Sequence, residues 1–276
     1  MHRGGALITT ILFDIYGTLI DILTDESDPL AYDTLSKWLE YKYIYLSGDQ
    51  LRWFYREEFA RRLGTEEARS RAEADIFKNI IEEFEARLGE RKELNPDADV
   101  REVFKTIILK FTSRTPEELA HLSTDLSHLF RATTRKRIFL YPTVKPALEQ
   151  MQKKYRLGIV SNAQEAFTMP ELGLYDLNRY FESVVLSSQV GVKKPNSRIF
   201  ARALSNLSVS PSEVVMVGND MVADMMGASK LGMRTIYIQQ KNKQGRQVTG
   251  VTPDAIVSNV NLFEVLTLVE GWNAKE

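Results

Sequence analysis

The sequence predicts an α/β fold, a doubly wound parallel sheet with an all-α domain inserted after the first strand. Three observations support this prediction. Residues 8–13 form an apolar, β-branched run that is typical of a buried strand. Residues 22–137 have helical periodicity throughout, whereas strands alternate with helices from residue 138 onward. We therefore predict a sheet domain over 1–21 and 138–276, and a helical domain over 22–137.

The helical domain is predicted from the spacing of its apolar side chains. One helical face carries a residue at every fourth position, namely Leu51, Tyr55, Phe59 and Leu63. Further stripes cover 76–88 and 103–111, and a fourth helix begins after Thr115, where Thr-Pro-Glu-Glu fits a capping box. The aromatic residues early in this domain are predicted to be helix-bundle core: Trp38, Tyr41, Tyr43, Tyr45, Trp53, Phe54 and Tyr55.

The second half of the chain alternates between the two kinds of element. Predicted strands cover residues 157–160, 184–186, 214–217, 234–238 and 255–257. Predicted helices cover 142–155, 196–205, 221–231 and the stretch after Asn261. Because the carboxyl ends of parallel strands lie at one edge of a sheet, we expect polar side chains that follow the strands to converge there.

Composition and charge exclude several kinds of protein. The formal net charge of −1 gives no electrostatic reason to expect nucleic acid or an anionic membrane as a partner. Cysteine is absent, which excludes disulfides, thiolate nucleophiles and zinc–thiolate sites. No apolar run approaches the roughly 20 residues needed to span a bilayer, and the N-terminal run does not fit a signal peptide. We expect a cytoplasmic protein, and the sequence does not indicate its oligomeric state.

Four predicted strand ends carry polar side chains that suit one reaction. They supply a carboxylate nucleophile, hydroxyl donors, a positive charge and further acids able to hold Mg²⁺. The residues are Asp14, Thr18, Ser161, Lys194, Asn219, Asp220 and Asp224. Such a set is typical of phosphoryl transfer, in which positioning and charge neutralisation supply most of the catalysis. From the residues alone, Asp224 equally fits a first-turn acid that complements a helix dipole.

The same segments resemble the four motifs of the haloacid dehalogenase-like (HAD) hydrolase superfamily, in the same order. Residues 14–19, Asp-Ile-Tyr-Gly-Thr-Leu, resemble its first motif, and Ser161 at the end of a hydrophobic strand resembles its second. Lys194-Pro195 resembles the third motif, and 218–224 resembles the fourth. The resemblance covers both segments of the predicted sheet domain and implies a Rossmann-like core. The inserted helical domain resembles the α-helical cap of that superfamily.

The resemblance implies a role for each catalytic residue. Asp14 would attack the substrate and form a covalent ester or an aspartyl phosphate. Thr18, Ser161 and Lys194 would hold the oxygens of the transferred group. The substrate would be a small molecule, and a phosphorylated one if the reaction is phosphoryl transfer.

The resemblance also implies a magnesium site. Asp220, together with Asp14 and the backbone carbonyl of Tyr16, would coordinate Mg²⁺, a hard cation that prefers oxygen ligands. Asn219 stands where relatives often carry an acid, which shifts the load to Asp220 and Asp224.

Tyr16 stands where superfamily phosphatases carry a second Asp that serves as general acid and base. Tyrosine has an ordinary pKa of about 10, against about 4 for aspartate, and loss of general acid–base catalysis costs about 10²- to 10⁴-fold in rate. Tyrosine at this position is similar to the 2-haloacid dehalogenase branch, which needs no Mg²⁺ and whose halide leaving group needs no proton.

Three functions are compatible with these residues. The one we favour is a Mg²⁺-dependent phosphatase that acts on a small phosphorylated metabolite through an aspartyl phosphate, because Asp220 and Asp224 have little use in a metal-free dehalogenase. The second is a 2-haloacid dehalogenase, which Tyr16 favours. The third is a weakly active or inactive HAD scaffold whose long helical domain binds a partner without turnover.

Overall fold

The computed structural model of the chain describes residues 6–64, 95–240 and 250–275. The chain forms two compact units. One unit runs to Thr24 and resumes at Lys136, and the other covers Asp25–Arg135. Within the described residues, every helix is too short or too polar to cross a membrane.

The first unit contains a parallel sheet of six described strands in the order β5–β4–β1–β6–β7–β8. The strands are β1 Thr10–Phe13, β4 Arg156–Ser161, β5 Ser183–Leu186, β6 Val214–Gly218, β7 Arg234–Gln239 and β8 Ala255–Ser258. Each neighbouring pair is parallel, and β1 lies at the centre between β4 and β6. The order reverses direction at β1, as in doubly wound folds.

Helices cover both faces of this sheet. They are α5 Val144–Met151, α6 Glu165–Leu174, α7 Ser187–Val190, α8 Ser197–Leu207, α9 Gly227–Lys230 and α10 Leu262–Asn273. Ile11 and Phe13 pack in one buried cluster with α5 and α10, whereas Leu12 packs in a second cluster with α8. Because successive strand residues point to opposite faces, β1 directs apolar side chains toward both faces, and all four of its residues are buried. The predicted fold class is confirmed.

Two strands at the ends of the predicted helical stretch were not predicted. Ile20–Thr24 (β2) and Arg135–Leu140 (β3) pair as a two-stranded sheet, so the prediction of helix from 22 to 137 is wrong at both ends. Both strands are partly exposed and lack a clear polar–apolar alternation. Their pairing joins segments more than 100 residues apart, which local periodicity does not reveal.

The second unit is helical over its described residues. Its helices are α1 Pro29–Glu40, α2 Gly48–Leu63, α3 Val100–Leu109 and α4 Pro116–Thr134. The predicted capping box at Thr115 is confirmed, because its hydroxyl accepts from the Glu118 amide at 3.2 Å and the Glu118 carboxylate accepts from the Thr115 amide at 2.9 Å. The predicted stripe at 76–88 lies outside the described residues.

Aromatic rings form the core of this unit, though not all of those predicted. The Tyr55 ring lies 4.9 Å from the Phe130 ring and 5.3 Å from the Phe104 ring, centroid to centroid. The prediction that the early aromatics are core is wrong for four of them, which are exposed: Tyr41, Tyr43, Tyr45 and Trp53. Three of these lie in the connection between α1 and α2 rather than on a packed helical face.

Candidate active site

Asp14 follows the central strand β1 and is almost fully buried. One of its carboxylate oxygens, Oδ1, accepts a hydrogen bond from the Ser161 hydroxyl at 2.9 Å and one from the Lys194 ammonium at 2.7 Å. Ser161 is the last residue of β4, which lies directly beside β1. The sheet order therefore brings these two strand ends together, as predicted from the sequence.

Lys194 connects two buried carboxylates. Its ammonium donates to Asp14 Oδ1 at 2.7 Å, to Asp224 Oδ1 at 2.6 Å and to the Val160 carbonyl at 2.8 Å, which uses all three of its protons. Burial alone would lower the pKa of Lys194, but the charges of Asp14 and Asp224 outweigh burial and raise that pKa above its usual value. Lys194 therefore stays charged.

Asn162 holds the backbone of Lys194 on both sides, a function that was not predicted. The Lys194 amide donates to Asn162 Oδ1 at 2.6 Å, and Asn162 Nδ2 donates to the Lys194 carbonyl at 3.2 Å. The peptide bond from Lys194 to Pro195 is cis. The polar residue directly after Ser161 was the available sequence signal for this contact.

Asp224 is buried and has partners at both oxygens. Its Oδ1 accepts from Lys194, and its Oδ2 accepts from the Asp220 amide at 2.9 Å. Burial and the Asp14 charge raise the pKa of Asp224 to about 6, against the opposing effect of Lys194. Gly218 leaves room for this carboxylate, because a Cβ at Gly218 would overlap it. These contacts place Asp224 beside Lys194 as its second counter-ion.

Asp220 and Asn219 follow β6, the other neighbour of β1. Asp220 is exposed, and its Oδ1 accepts from the amides of Val222 and Ala223 at 2.8 Å each. It thereby caps a π-helical turn over Met221–Met226, where the sequence predicted ordinary helix. The Asn219 side-chain oxygen accepts a long 3.4 Å hydrogen bond from Thr18.

Gly17 makes the turn that carries Thr18 into the site. Its φ of +88° is in the left-handed region, which favours glycine, and a Cβ there would overlap the Asn219 side chain. Its carbonyl accepts from Gln240 Nε2 at 2.8 Å, a contact that was not predicted. Thr18 is fully buried behind this turn.

The Tyr16 hydroxyl forms hydrogen bonds with two side chains of α6, which belongs to the same unit. It donates to Glu171 Oε2 at 2.5 Å and lies 3.1 Å from the Thr168 hydroxyl, and both partners are buried. Neither partner was predicted, because helix α6 itself was not. Pro170 and Gly173 interrupt the helical pattern of α6 and weaken its sequence signal.

The donor set at this edge of the sheet fits a hard divalent cation. In the described part of the chain, hydrogen bonds engage Oδ1 of Asp14 and Oδ1 of Asp220, which leaves Oδ2 of each carboxylate for a metal. The family resemblance implies the backbone carbonyl of Tyr16 as a third oxygen, and Mg²⁺ commonly completes its shell with water. No group of three or more histidine, cysteine, aspartate or glutamate side chains that could hold a metal ion occurs among the described residues.

Known proteins resemble this chain in sequence and in fold. A segment of 105 residues is 35% identical to glyceraldehyde 3-phosphate phosphatase of Methanopyrus kandleri and covers 38% of this chain and 45% of that protein. The chain thus spans about half the length of this curated relative.

Two solved structures share the fold over nearly the whole chain. A HAD phosphatase from Thermococcus onnurineus is 24% identical with a TM-score of 0.54, and the match covers 96% of this chain and 99% of that one. A 2-haloacid dehalogenase from Pseudomonas syringae pv. Tomato DC3000 is 23% identical with a TM-score of 0.57, over 96% and 100% of the two chains. At these identities the likeness shows the fold only. A sequence model described as haloacid dehalogenase-like hydrolase matches residues 8–232, so the chain belongs to that family of hydrolases.

Proposed function

We propose that this protein is a Mg²⁺-dependent phosphatase that acts on a small phosphorylated metabolite through an aspartyl phosphate on Asp14. The observation that carries the proposal is the Lys194 ammonium, buried between the carboxylates of Asp14 and Asp224 with the Ser161 hydroxyl on the same Asp14 oxygen. The phosphatase named among its relatives supports the same chemistry.

Asp14 is the nucleophile in this proposal. Its two donors, Ser161 and Lys194, lie within 2.9 Å of one carboxylate oxygen. In this proposal, the protons that they direct to Asp14 would turn to the oxygens of a phosphoryl group once it is transferred to that carboxylate. Thr18, buried behind the Gly17 turn, holds a further oxygen. Positive charge and hydroxyl donors at this point stabilise the charge that spreads over the transferring group.

Asp14, the Tyr16 carbonyl and Asp220 would hold Mg²⁺, with Asn219 beside them. When bound there, the ion neutralises phosphate charge and helps to orient the phosphoryl group. Asp224 serves a different purpose in this proposal, since both of its oxygens are engaged and it fixes the position of Lys194. The helical unit, Asp25–Arg135, would act as the cap that selects the substrate.

The test is a screen of phosphate esters and 2-haloacids, each with Mg²⁺ and with EDTA. We expect phosphate release that EDTA abolishes. The variant Asp14→Asn should lose this activity by several orders of magnitude, because an amide is not a nucleophile. Asp125→Asn is the matched control, since Asp125 is exposed on α4, and it should keep full activity.

Other outcomes would contradict the proposal in distinct ways. Halide release that is insensitive to EDTA would assign the protein to the 2-haloacid dehalogenases, which Tyr16 favours. The absence of turnover on both panels, with circular dichroism showing a folded chain, would favour a scaffold without catalysis.

A further inference from the structure

Among the described residues, the hydroxyl and ammonium groups proposed to bind the phosphoryl oxygens each donate to an acceptor within the protein. Ser161 donates to Asp14, and Lys194 uses its three protons on Asp14, Asp224 and the Val160 carbonyl. Thr18 donates to the Asn219 side chain. None of these three side chains has a proton directed toward a departing group.

Tyr16 follows the same pattern, and its acceptor is a carboxylate. The hydroxyl donates to Glu171 Oε2 at 2.5 Å, so its proton is directed to that carboxyl oxygen. Glu171 is 3% exposed, so water competes little for this bond. The Thr168 hydroxyl at 3.1 Å fixes the Tyr16 oxygen from the same helix.

We propose that Glu171, by binding the Tyr16 hydroxyl proton, makes this enzyme selective for phosphate compounds whose leaving group departs without a proton. Aryl and acyl phosphates belong to that class, and alkyl phosphates do not. Glu171 is a positioning residue here, since it acts through Tyr16 and not on the substrate. The proposal rests on the phosphatase function proposed above and names its substrate class.

The reaction balances without a general acid. An Asp14 oxygen attacks phosphorus, the bond from phosphorus to the leaving oxygen breaks, and the electron pair departs on a phenolate or carboxylate. Water then attacks the phosphorus of the aspartyl phosphate, and the bond from phosphorus to the Asp14 oxygen breaks, which restores the carboxylate. One proton of the water stays on the released phosphate and the other passes to the solvent, where it can protonate a departed phenolate. A departing alkoxide would lack the proton that usually accelerates such steps by about 10²- to 10⁴-fold.

The test compares two esters of similar size, phenyl phosphate and benzyl phosphate, with the wild-type protein and Mg²⁺. Phenol is far more acidic than benzyl alcohol, so only the benzyl ester needs a proton donor. We expect kcat/KM for phenyl phosphate to exceed that for benzyl phosphate by at least about 10²-fold. A ratio below about tenfold would overturn the inference and leave the proposed phosphatase function intact. Failure to release phosphate from both esters, and from acetyl phosphate, would overturn both proposals.

Variants test the part played by Glu171. In Tyr16→Phe the ratio of the two kcat/KM values should change by less than about threefold, whatever happens to the absolute rates, because the hydroxyl proton is not used. In Glu171→Ala the Tyr16 hydroxyl loses its carboxylate acceptor, and the ratio of the two kcat/KM values should narrow at least about fivefold. The double variant Tyr16→Phe/Glu171→Ala should not show this narrowing. A merely structural role of Glu171 would change both esters equally and would contradict the inference.

The matched control removes a second tyrosine–glutamate bond in the same unit. The Tyr180 hydroxyl donates to Glu149 at 3.1 Å, and neither residue belongs to the proposed site. Tyr180→Phe should leave the ratio of the two esters at its wild-type value, and a shift of the ratio in this variant as large as in Glu171→Ala would also contradict the inference.

Discussion

Each of the two units contains a cluster of ion pairs built on buried carboxylates, and the two clusters are built in opposite ways. In the sheet unit, Lys194 binds Asp14, 180 residues away in sequence, and Asp224, 30 residues away. In the helical unit, Glu58 binds Arg61 and Arg62 of its own helix, three and four residues away. One cluster depends on the fold of the sheet unit, and the other on one turn of α2.

The clusters also differ in their access to water. The Lys194 and Asp224 side chains are each 1% exposed, whereas the Arg61 side chain is 47% exposed. Charges interact more strongly away from water, but they also lose their hydration. The buried cluster therefore stabilises the fold only while every charge in it has its partner. The sheet unit therefore accepts costly burial around Asp14, the carboxylate that we propose as the nucleophile. In the helical unit, the ion pairs of Glu58 stabilise one turn of α2 and remain accessible to water.

The largest effect should come from breaking the buried cluster. In Lys194→Met, two buried carboxylates lose their shared counter-ion, and the free energy of unfolding should fall by about 3–5 kcal/mol. Denaturant unfolding followed by circular dichroism measures this change. The double variant Lys194→Met/Asp224→Asn should recover at least about 1 kcal/mol, since an amide replaces one unpaired charge. If Lys194→Met lost less unfolding free energy than Glu58→Gln, the conclusion that the buried cluster contributes more to stability than the helical one would be wrong.

A smaller, pH-dependent effect is expected for the helical cluster. Burial alone would raise the pKa of Glu58, but hydrogen bonds and charge from Arg61 and Arg62 outweigh burial and lower the pKa below its usual 4.5. Because the folded pKa is the lower one, the stabilisation is complete above pH 4.5 and declines as the pH falls through the folded value.

The measurement is the unfolding free energy of wild type and Glu58→Gln between pH 7 and pH 3. The difference should be about 1.5 kcal/mol at pH 7 and should shrink toward the acid end. Phosphate release near neutral pH should not change in this variant. A difference that grows on acidification would show that the sign of the Glu58 shift is wrong.

The smallest effect should come from a contact that is local and carries no buried charge. Thr115→Ala removes the cap of α4, and the free energy of unfolding should fall by about 1 kcal/mol at neutral pH. Thr115→Ser retains a capping hydroxyl and serves as the control with little loss. If Thr115→Ala lost more unfolding free energy than Lys194→Met, the helix cap would contribute more to stability than the buried cluster, contrary to this prediction.

Much of the fold and part of the site could be predicted from the sequence. Residues 8–13 direct apolar side chains toward both faces of the sheet, because helices cover both sides of β1. Such a run can be recognised in the sequence without a structure. Asp14 and Ser161 could be placed together because neighbouring parallel strands end at one edge of the sheet. The roles of the site residues and the boundary between a catalytic and a cap domain stay predictions.

By itself, the sequence determined the fold class, the family and the strand ends that carry polar groups. The reason is that the spacing of apolar residues and the order of the motifs can be seen along the chain without knowing which segments pack together. Only the tertiary structure decided that Lys194 joins Asp14 to Asp224, that Asp220 caps a π-helical turn and that β2 pairs with β3. It also decided that the Tyr16 hydroxyl donates its hydrogen bond to Glu171. Such contacts join distant segments at atomic distances, and their geometry depends on how the whole backbone is packed.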